Sequence, residues 1–341
     1  MKSKLLVRIA SLFLAVPFVS SCVSTETVEP DIAAKATDEI VLNISSPEDA
    51  FTRADNGYKL RYIAKIFQGS TSAAWTSVIS RQELIDGESN NRIVFKVDPD
   101  KDYAIMVFAD YIPADYTADA NGLYKDYFYN TQSSRKAVMR TTPGSDADAL
   151  SPLFFNNPNY DAFYGIATFH KEEAEKIVDM TLKRASAQVI FRDNSGLSGS
   201  CNVTVNKIGL RKTYDFSLQS QSSTPGASEA NRNLGDIAVQ ETATVGSGNS
   251  DIFYFYTLAD EITSPQYVST EFKVTKEGVV SDAVSVKEIP VKSNYRTIVT
   301  GQFLPADPST PGPGEDETTK AGDIILNLST DFSWQQELLS K

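Results

Sequence analysis

Most apolar residues of this chain fall in short runs that alternate with polar residues and end at turn-forming residues. Residues 58–67 and 91–97 alternate in this way, and the Asp-Pro-Asp sequence at 98–100 closes the second run. Residues 103–110 are apolar on both faces, which predicts a central strand. Phe and Tyr are plentiful, at 18 and 15 residues, and long helical patterns are few. Short strands at this spacing predict an all-β fold built from sandwiches.

Two of these runs, one near each end of the chain, share a side-chain pattern. Residues 39–45 are Glu-Ile-Val-Leu-Asn-Ile-Ser, and residues 323–329 are Asp-Ile-Ile-Leu-Asn-Leu-Ser. In extended strands, one face would carry Ile40, Leu42 and Ile44 in the first run and Ile324, Leu326 and Leu328 in the second. Two segments with one pattern could fill the same groove, so a spare copy could fill the groove of a neighbouring molecule. The alternative is a chance likeness between two aliphatic runs.

The loop behind the first copy carries an arginine. Residues 51–57 are polar, follow a turn, and precede the next predicted strand at Tyr58. A protease that cut after Arg53 would release residues 39–45 and empty their groove. Arg61 is a second possible cut site. The alternative is a solvated loop arginine without such a role.

The N-terminus has the features of an export signal. Lys2 and Lys4 precede an apolar run over residues 5–19, which predicts a secretory signal peptide at residues 1–21. The sequence at 19–22, Val-Ser-Ser-Cys, resembles the bacterial lipobox, and that resemblance makes Cys22 the lipid anchor. A plain signal peptide with an incidental cysteine is the alternative. Cys201, the second of two cysteines, is then predicted to be a small buried residue.

Composition divides the remaining chain into segments. Residues 22–37 are typical of a flexible tether. We predict an N-terminal β-sandwich domain over residues 38–184 and a C-terminal one over residues 185–304, with little linker between them. Residues 305–322, rich in Pro, Gly and acids, are typical of an extended spacer, and residues 323–341 contain the candidate donor strand and tail. Phe332 and Trp334 follow the repeated pattern there and would add to its docking.

The composition disfavours several kinds of chemistry. The net charge is −12, which repels nucleic-acid backbones. His170 is the single histidine, so His-based metal clusters and His-activated nucleophiles lack most of their parts. There is no glycine-rich phosphate loop of the required spacing. We therefore predict a protein without enzymatic activity, metal or cofactor, with an enzyme using a carboxylate pair as a remaining alternative.

A long, weakly patterned stretch interrupts the first half. Residues 111–159 are rich in Tyr, Asp, Asn and Pro, with aromatic residues at Tyr124, Tyr127, Phe128 and Tyr129. These rings could form a surface platform for glycans, and the alternative function is therefore a monomeric surface lipoprotein that binds glycans through residues 111–159. Such rings also commonly attach a long loop to its own domain.

Three further motifs carry a family resemblance. They are Asp-Ala-Phe-Tyr-Gly at 161–165, Met-Thr-Leu-Lys-Arg-Ala-Ser-Ala-Gln-Val at 180–189, and Asn-Tyr-Arg-Thr-Ile-Val-Thr-Gly at 294–301. Together with the lipobox, their order resembles the fimbrillin-like lipoproteins of Bacteroidales, the type V pilin family of major and minor fimbrial subunits. The long aromatic insertion departs from what is expected of a stalk pilin.

This resemblance implies a specific architecture and role. It implies two tandem transthyretin-like, Greek-key β-sandwich domains with a C-terminal extension strand. It also implies export as an outer-membrane lipoprotein exposed at the cell surface, and cutting by an Arg-specific, trypsin-like surface protease. Other fimbrial subunits, the same or related chains, would then be joined by donor-strand exchange into an adhesive fimbria. In these terms Cys22 is the anchor, Arg53 the cut site, residues 39–45 the placeholder strand and residues 323–332 the donor.

Overall fold

Strands and tight turns make up the described part of the chain. In the computed structural model, the structure describes residues 38–45, 57–69, 75, 78–147, 149–216, 220–221, 233–239, 243–246, 248–260, 266–305 and 327–331. The described strands of both halves lie in one compact unit. No helix in these ranges is long and apolar enough to cross a membrane.

In the described ranges, ten strands precede residue 185 and form the first half of the fold. They are β1 Glu39–Ser45, β2 Tyr58–Gln68, β3 Val78–Ile85, β4 Arg92–Lys96, β5 Lys101–Pro113, β6 Tyr129–Asn130, β7 Lys136–Met139, β8 Phe163–Lys171, β9 Lys176–Thr181 and β10 Lys183–Arg184. Between them the described residues form three 3-10 turns, at Glu88–Asn91, Pro152–Phe154 and Pro158–Tyr160. A serine or asparagine side chain caps each of the last two turns, and a proline follows that cap.

Twelve strands follow. They are β11 Ser186–Asp193, β12 Gly199–Gly209, β13 Thr213–Asp215, β14 Ser220–Gln221, β15 Asn233–Ala238, β16 Ala243–Val245, β17 Ser250–Leu258, β18 Gln266–Lys276, β19 Val279–Val280, β20 Val284–Val291, β21 Arg296–Gly301 and β22 Asn327–Asp331. The all-β sandwich class predicted from the short alternating runs is thereby confirmed.

Each half contains two principal sheets. In the first half, β4-β1-β9 form one sheet and β10-β8-β5-β2-β3 the other. In the second half, β17-β11-β21-β22 form one sheet, and β15-β12-β18-β19 form the other with β16 and β20 attached. The inward side chains of all four sheets belong to a continuous buried cluster. Because strand side chains alternate between faces, the short apolar runs of the sequence supply those inward rows.

The central strand predicted at residues 103–110 is confirmed. It is the middle of β5, which pairs antiparallel with β2 on one side and β8 on the other. Its residues from Tyr103 to Ala109 are all buried. A strand that is covered on both faces is apolar on both faces, which explains the continuous apolar run.

The insertion at residues 111–159 joins the two halves through a small sheet. Its strands β6 and β7 extend a ladder in the order β14-β13-β7-β6, so β7 from the first half pairs with β13 from the second. Neither β6 nor β7 shows an alternating run long enough to predict a strand. They form because β13 offers an edge that is distant in sequence.

Candidate functional site

The first strand, β1, lies between two other strands of its sheet. It pairs antiparallel with β4 over five residues and parallel with β9 over six. Its range matches the strand predicted at residues 39–45. Removing β1 would leave two backbone edges unpaired, one on β4 and one on β9, which face each other across the vacated position.

One face of β1 fills the core. Ile40 and Leu42 are completely buried, and Ile44 is 5% exposed. These are the three residues that the repeated pattern predicted to share a face, and all three belong to the hydrophobic core. Burial of each is worth roughly 1.5–3 kcal/mol. β1 therefore completes a core that would stand open without it.

Polar side chains on β1 fix its alignment with β9. Asn43 Nδ2 donates to Asp179 Oδ1 at 2.8 Å, and the hydroxyls of Ser45 and Thr181 lie 3.1 Å apart. The backbone amide of Leu182 also donates to the carbonyl of Ser45 at 2.8 Å. A slip by one residue would break these bonds and turn the aliphatic face outward. The Asn and Ser of the repeated pattern are therefore register contacts.

The C-terminal copy of the pattern lies elsewhere. Its described part, β22, pairs antiparallel with β21, from Thr300 opposite Asn327 to Arg296 opposite Asp331. Thus β22 is the edge strand of the β17-β11-β21-β22 sheet, whereas β1 is the middle strand of its own sheet. Within one chain the two copies do not compete for one groove, because each has its own place.

Most of the predicted processing and donor residues lie outside the described ranges. These are Cys22, Arg53, Ile324, Leu326, Phe332 and Trp334. Leu328 lies in β22, where the structure describes the backbone pairing with Val299.

Arg61, the second suggested cut site, is inaccessible in the folded chain. It lies within β2, is completely buried, and its guanidinium bonds both oxygens of Asp110 and one of Asp126, each at 2.9 Å. Burial alone would lower the pKa of Arg61, but Asp110 and the other nearby carboxylates raise it above its usual value. A protease needs an exposed, extendable segment, so this placement argues against Arg61 as a cut site.

The insertion packs on the sheet through cation-carbonyl contacts. Arg61 donates to the carbonyl of Tyr124 at 3.1 Å, and Lys65 donates to those of Thr131 and Ser133 at 2.8 and 2.5 Å. Lys65 is only 5% exposed, and burial lowers its pKa to about 7. These contacts cover the outer face of β2 with the insertion.

The aromatic residues of the insertion do not form an exposed platform. Phe128 and Tyr129 are completely buried, while Tyr124 and Tyr127 are half-buried. Tyr127 and Phe128 pack edge to face with a centroid distance of 4.8 Å. The rings attach the insertion to its own core, which is the structural alternative weighed for them above.

The three motifs that carried the family resemblance converge on one buried polar cluster. Arg184 Nε lies 2.9 Å from both oxygens of Asp161, and Ser186 Oγ donates to Asp161 at 2.5 Å. From the third motif, Asn294 Oδ1 accepts from Arg184 at 2.9 Å. This cluster lies where β10 of one sheet ends and β11 of another begins, so it fixes the joint between the two halves.

Gly165 in the first motif allows a close approach beside that joint. A Cβ atom there would lie 2.6 Å from the sulfur of Met180 and 2.9 Å from Leu182. Any side chain would push against the β9 end that pairs with β1. The glycine is therefore explained by packing between β8 and β9.

The side chains that hold β1 in register were missed at the level of sequence. Asp179 and Thr181 lie 136 residues from their partners on β1. The only available signal was the repeated Asn and Ser of the pattern, and it did not indicate what those residues contact.

The described residues contain neither a group of metal ligands nor a reactive cysteine. Among these residues no three His, Cys, Asp or Glu side chains are grouped to hold a metal ion. Cys201 is buried, as predicted, and burial raises the pKa of its thiol to about 11. A thiol so protonated is a poor nucleophile at neutral pH.

The fold and its strand arrangement define an all-β protein of two packed sandwiches. The chain belongs to a family of unknown function (DUF6562), whose model matches residues 30–317. No curated protein matches the chain.

Solved structures resemble the chain only distantly. A putative cell adhesion protein from Bacteroides ovatus aligns with 11% identity and a TM-score of 0.43, over 86% of this chain and 95% of that one. A putative polysaccharide binding protein from Bacteroides thetaiotaomicron aligns with 13% identity and a TM-score of 0.40, over 86% and 98%. A fimbrial assembly protein from Parabacteroides distasonis aligns with 12% identity and a TM-score of 0.37, over 86% and 97%.

Proposed function

We propose that this chain is a structural subunit of an adhesive surface fimbria that polymerises by strand exchange. It is exported as an outer-membrane lipoprotein anchored through Cys22. An Arg-specific protease cuts after Arg53 and releases β1, and the C-terminal segment of another subunit takes the vacant position. The subunit is not an enzyme and needs no cofactor. The proposal rests on the chain's own strands, since the solved structures are too distant to support it.

One observation carries the proposal: a buried middle strand has a near copy of its sequence at the other end of the chain. Ile40, Leu42 and Ile44 complete the core, and residues 324, 326 and 328 repeat that aliphatic row. The register contacts are repeated as well, because Asn327 and Ser329 stand where Asn43 and Ser45 stand in β1. A donor segment running in the direction of β1 would thus match both the core and Asp179.

The positions of β22 and β1 differ in the number of backbone ladders that they offer, and the difference favours exchange. Among the described residues, β22 pairs along one ladder, with β21, whereas the β1 position offers two ladders, to β4 and β9. A segment that takes the second position would pair along two ladders and would place residues 324, 326 and 328 in the row that Ile40, Leu42 and Ile44 fill. Each such side chain contributes roughly 1.5–3 kcal/mol. The additional ladder therefore favours exchange once β1 has left.

The position of β1 in the chain makes its release simple. β1 is the first described strand, and Arg53 lies between it and β2. A cut after Arg53 would separate β1 from every other strand while leaving all other connections intact. The same cut would separate the body from Cys22 and so free the subunit from its anchor.

Limited proteolysis of the purified precursor tests this function. Trypsin treatment should give a new N-terminus at Ala54 and a ladder of polymers that resists SDS without heating. Arg53→Gln should remain monomeric, whereas Arg192→Gln, on a partly exposed arginine of β11, should polymerise like the wild type. A chain that ends at residue 322 should be cut but should not polymerise. Persistent monomers of cleaved, full-length protein would refute the proposal.

A further inference from the structure

The outer face of the second half carries a groove away from β1 and the joint. It lies across β12, β18 and β20 and has a volume of about 470 Å³. This is within the range of roughly 300–1,000 Å³ that small-molecule sites occupy. Gly209, Ser269 and Ser285 are among its lining residues, and their small size leaves the depression open.

Irregular pairing on both sides of β18 shapes the groove. On β12, Asn206 is an extra residue between Val205, opposite Phe272, and Lys207, opposite Glu271. On β20, two residues, Lys287 and Glu288, lie opposite the single Ser269. Bulges bend a strand and increase its twist, and they are frequent beside binding sites. Two bulges on the two neighbours of one strand make this face concave.

The bulge on β20 is conformationally costly. Glu288 has a φ of 55°, in the left-handed region where glycine is favoured. Strain of this kind costs about 1–3 kcal/mol and is retained mainly where the surrounding structure or a function requires it. Here it places the side chains of Lys287 and Glu288 along the groove, because both residues line it.

An exposed aromatic ring stands at one end of the groove. Tyr267 on β18 is 47% exposed. Ser269 and Glu271 follow it on the same face of the strand, with a bulge opposite each. From a rise of about 3.3 Å per residue, Tyr267 and Glu271 lie roughly 13 Å apart along the strand. A ligand touching both would be an extended one.

A fixed carboxylate stands at the other end. Glu271 accepts from Asn206 Nδ2 at its Oε1 and from Lys207 Nζ at its Oε2, each at 3.0 Å. The Glu271 side chain remains 20% exposed. The bonds from Asn206 and Lys207 fix the orientation of the carboxylate. Each carboxylate oxygen has two lone pairs, so each can still accept a further hydrogen bond. The carboxylate is suited to accept from two adjacent hydroxyl groups.

The charges of the groove balance. Lys207 and Lys287 stand against Glu271 and Glu288, so its lining is neutral although the whole chain has a net charge of −12. The groove has no excess of positive charge to attract a phosphorylated or sulfated ligand, and no excess of negative charge to attract a cationic ligand. The ligand that fits is uncharged, elongated and rich in hydroxyl groups.

We propose that this groove binds a neutral oligosaccharide. The apolar C–H face of one sugar ring lies on Tyr267, and hydroxyls of the rings farther along the groove donate to the serines and to Glu271. The site is independent of strand exchange and lies outside residues 111–159. It would give an assembled fimbria a means of adhesion on every subunit.

Saturation-transfer NMR and calorimetry on the full mature chain test this site. The probes are maltotriose, cellotriose, mannotriose and xylotriose. At least one should bind, and Tyr267→Ala should weaken it about tenfold or more, as loss of a ring contact and its buried area requires. Tyr267→Phe should bind like the wild type, because the ring is retained. Val280→Ala, at a 56% exposed position on neighbouring β19, is the matched control and should bind normally.

Saccharide binding can be tested separately from polymerisation. Because Tyr267 is half-exposed, Tyr267→Ala should keep the wild-type melting temperature, which distinguishes lost binding from unfolding. The site is refuted if none of the four probes binds, if binding survives Tyr267→Ala, or if a sulfated oligosaccharide or a peptide binds there instead. Arg53→Gln, which blocks assembly, should leave saccharide binding unchanged.

Discussion

At the scale of single residues, buried charges decide where the sheets join. Arg184 is 4% exposed and Asp161 is completely buried, and each bonds the other at 2.9 Å. A buried pair of this kind contributes little net stability compared with apolar residues, but removal of one partner leaves a charge in a dry site. The role of the pair is therefore to fix the geometry of the joint between the two halves.

Replacement of Arg184 should therefore destabilise the fold strongly. Arg184→Ala should lower the free energy of unfolding by about 3–5 kcal/mol, because Asp161 loses its buried cation. Arg192→Ala removes a pair with Asp251 that is 31% and 43% exposed, and it should cost less than about 1 kcal/mol. Urea unfolding followed by circular dichroism measures both. Equal losses in the two variants would contradict a special role for the joint.

Lys65 gives the stability a pH dependence. Burial lowers its pKa to about 7 from an unfolded value of 10.5. Between these values the unfolded chain binds more protons than the folded chain, so the free energy of unfolding due to Lys65 rises with pH. Below about pH 7 both states are protonated, and the cost of burying the charged amine is present in full.

The variant Lys65→Met should remove this rise. Urea midpoints measured from about pH 6 to about pH 9 should increase in the wild type and increase less in Lys65→Met. Lys101→Met, at a solvent-exposed position, should keep the wild-type slope. An unchanged slope in Lys65→Met would show that Lys65 titrates normally in the folded chain.

At the scale of elements, the position of a strand within its sheet matters more than its sequence. β22 contains the last three residues of the pattern that β1 carries in full, yet β1 has neighbours on both sides and β22 is an edge strand. The halves share a pattern, since the first strand of each pairs in parallel with the last but one: β1 with β9, and β11 with β21. The C-terminal strand then adds to the free side of β21.

The core face of β1 should be sensitive to truncation. Leu42→Ala should cost about 2–5 kcal/mol, because the side chain is completely buried and the cavity would remain. Ile177→Ala is the control on the adjacent strand β9, where the side chain is 57% exposed, and it should change stability by less than about 0.5 kcal/mol. Thermal unfolding compares the two. A small loss in Leu42→Ala would mean that β1 is dispensable to the core.

At the scale of the whole molecule, the two halves are tied by contacts of long sequence separation. β7 pairs with β13, and Asn156 Oδ1 accepts from the backbone amide of Tyr254 at 2.9 Å. The insertion at residues 111–159 thus braces the two halves and covers β2. In a fibre, such bracing would transmit load from one strand-exchange site to the next.

Local patterns in the sequence predicted the all-β class and most long strands. Period-two alternation follows directly from strand geometry, so β1, β2, β4 and β5 were visible without coordinates. β3 was not predicted, because Val78–Ile85 is interrupted by Arg81, Gln82 and Glu83. Each of these side chains has a hydrogen-bond partner outside β3: Thr131, Val94 and Tyr124, respectively. The short strands β6 and β7 were missed for the same reason: their pairing depends on distant edges.

Local sequence was sufficient to predict the repeated strand pattern, the alternation of several long strands, and the inward row of Ile40, Leu42 and Ile44. The position of β1 between β4 and β9, the bond from Asn43 to Asp179 and the burial of Arg61 became evident from the folded chain alone. The physical reason is that side-chain alternation is a property of neighbouring residues, whereas strand partners and burial depend on which distant segments meet. No local pattern specifies those partners.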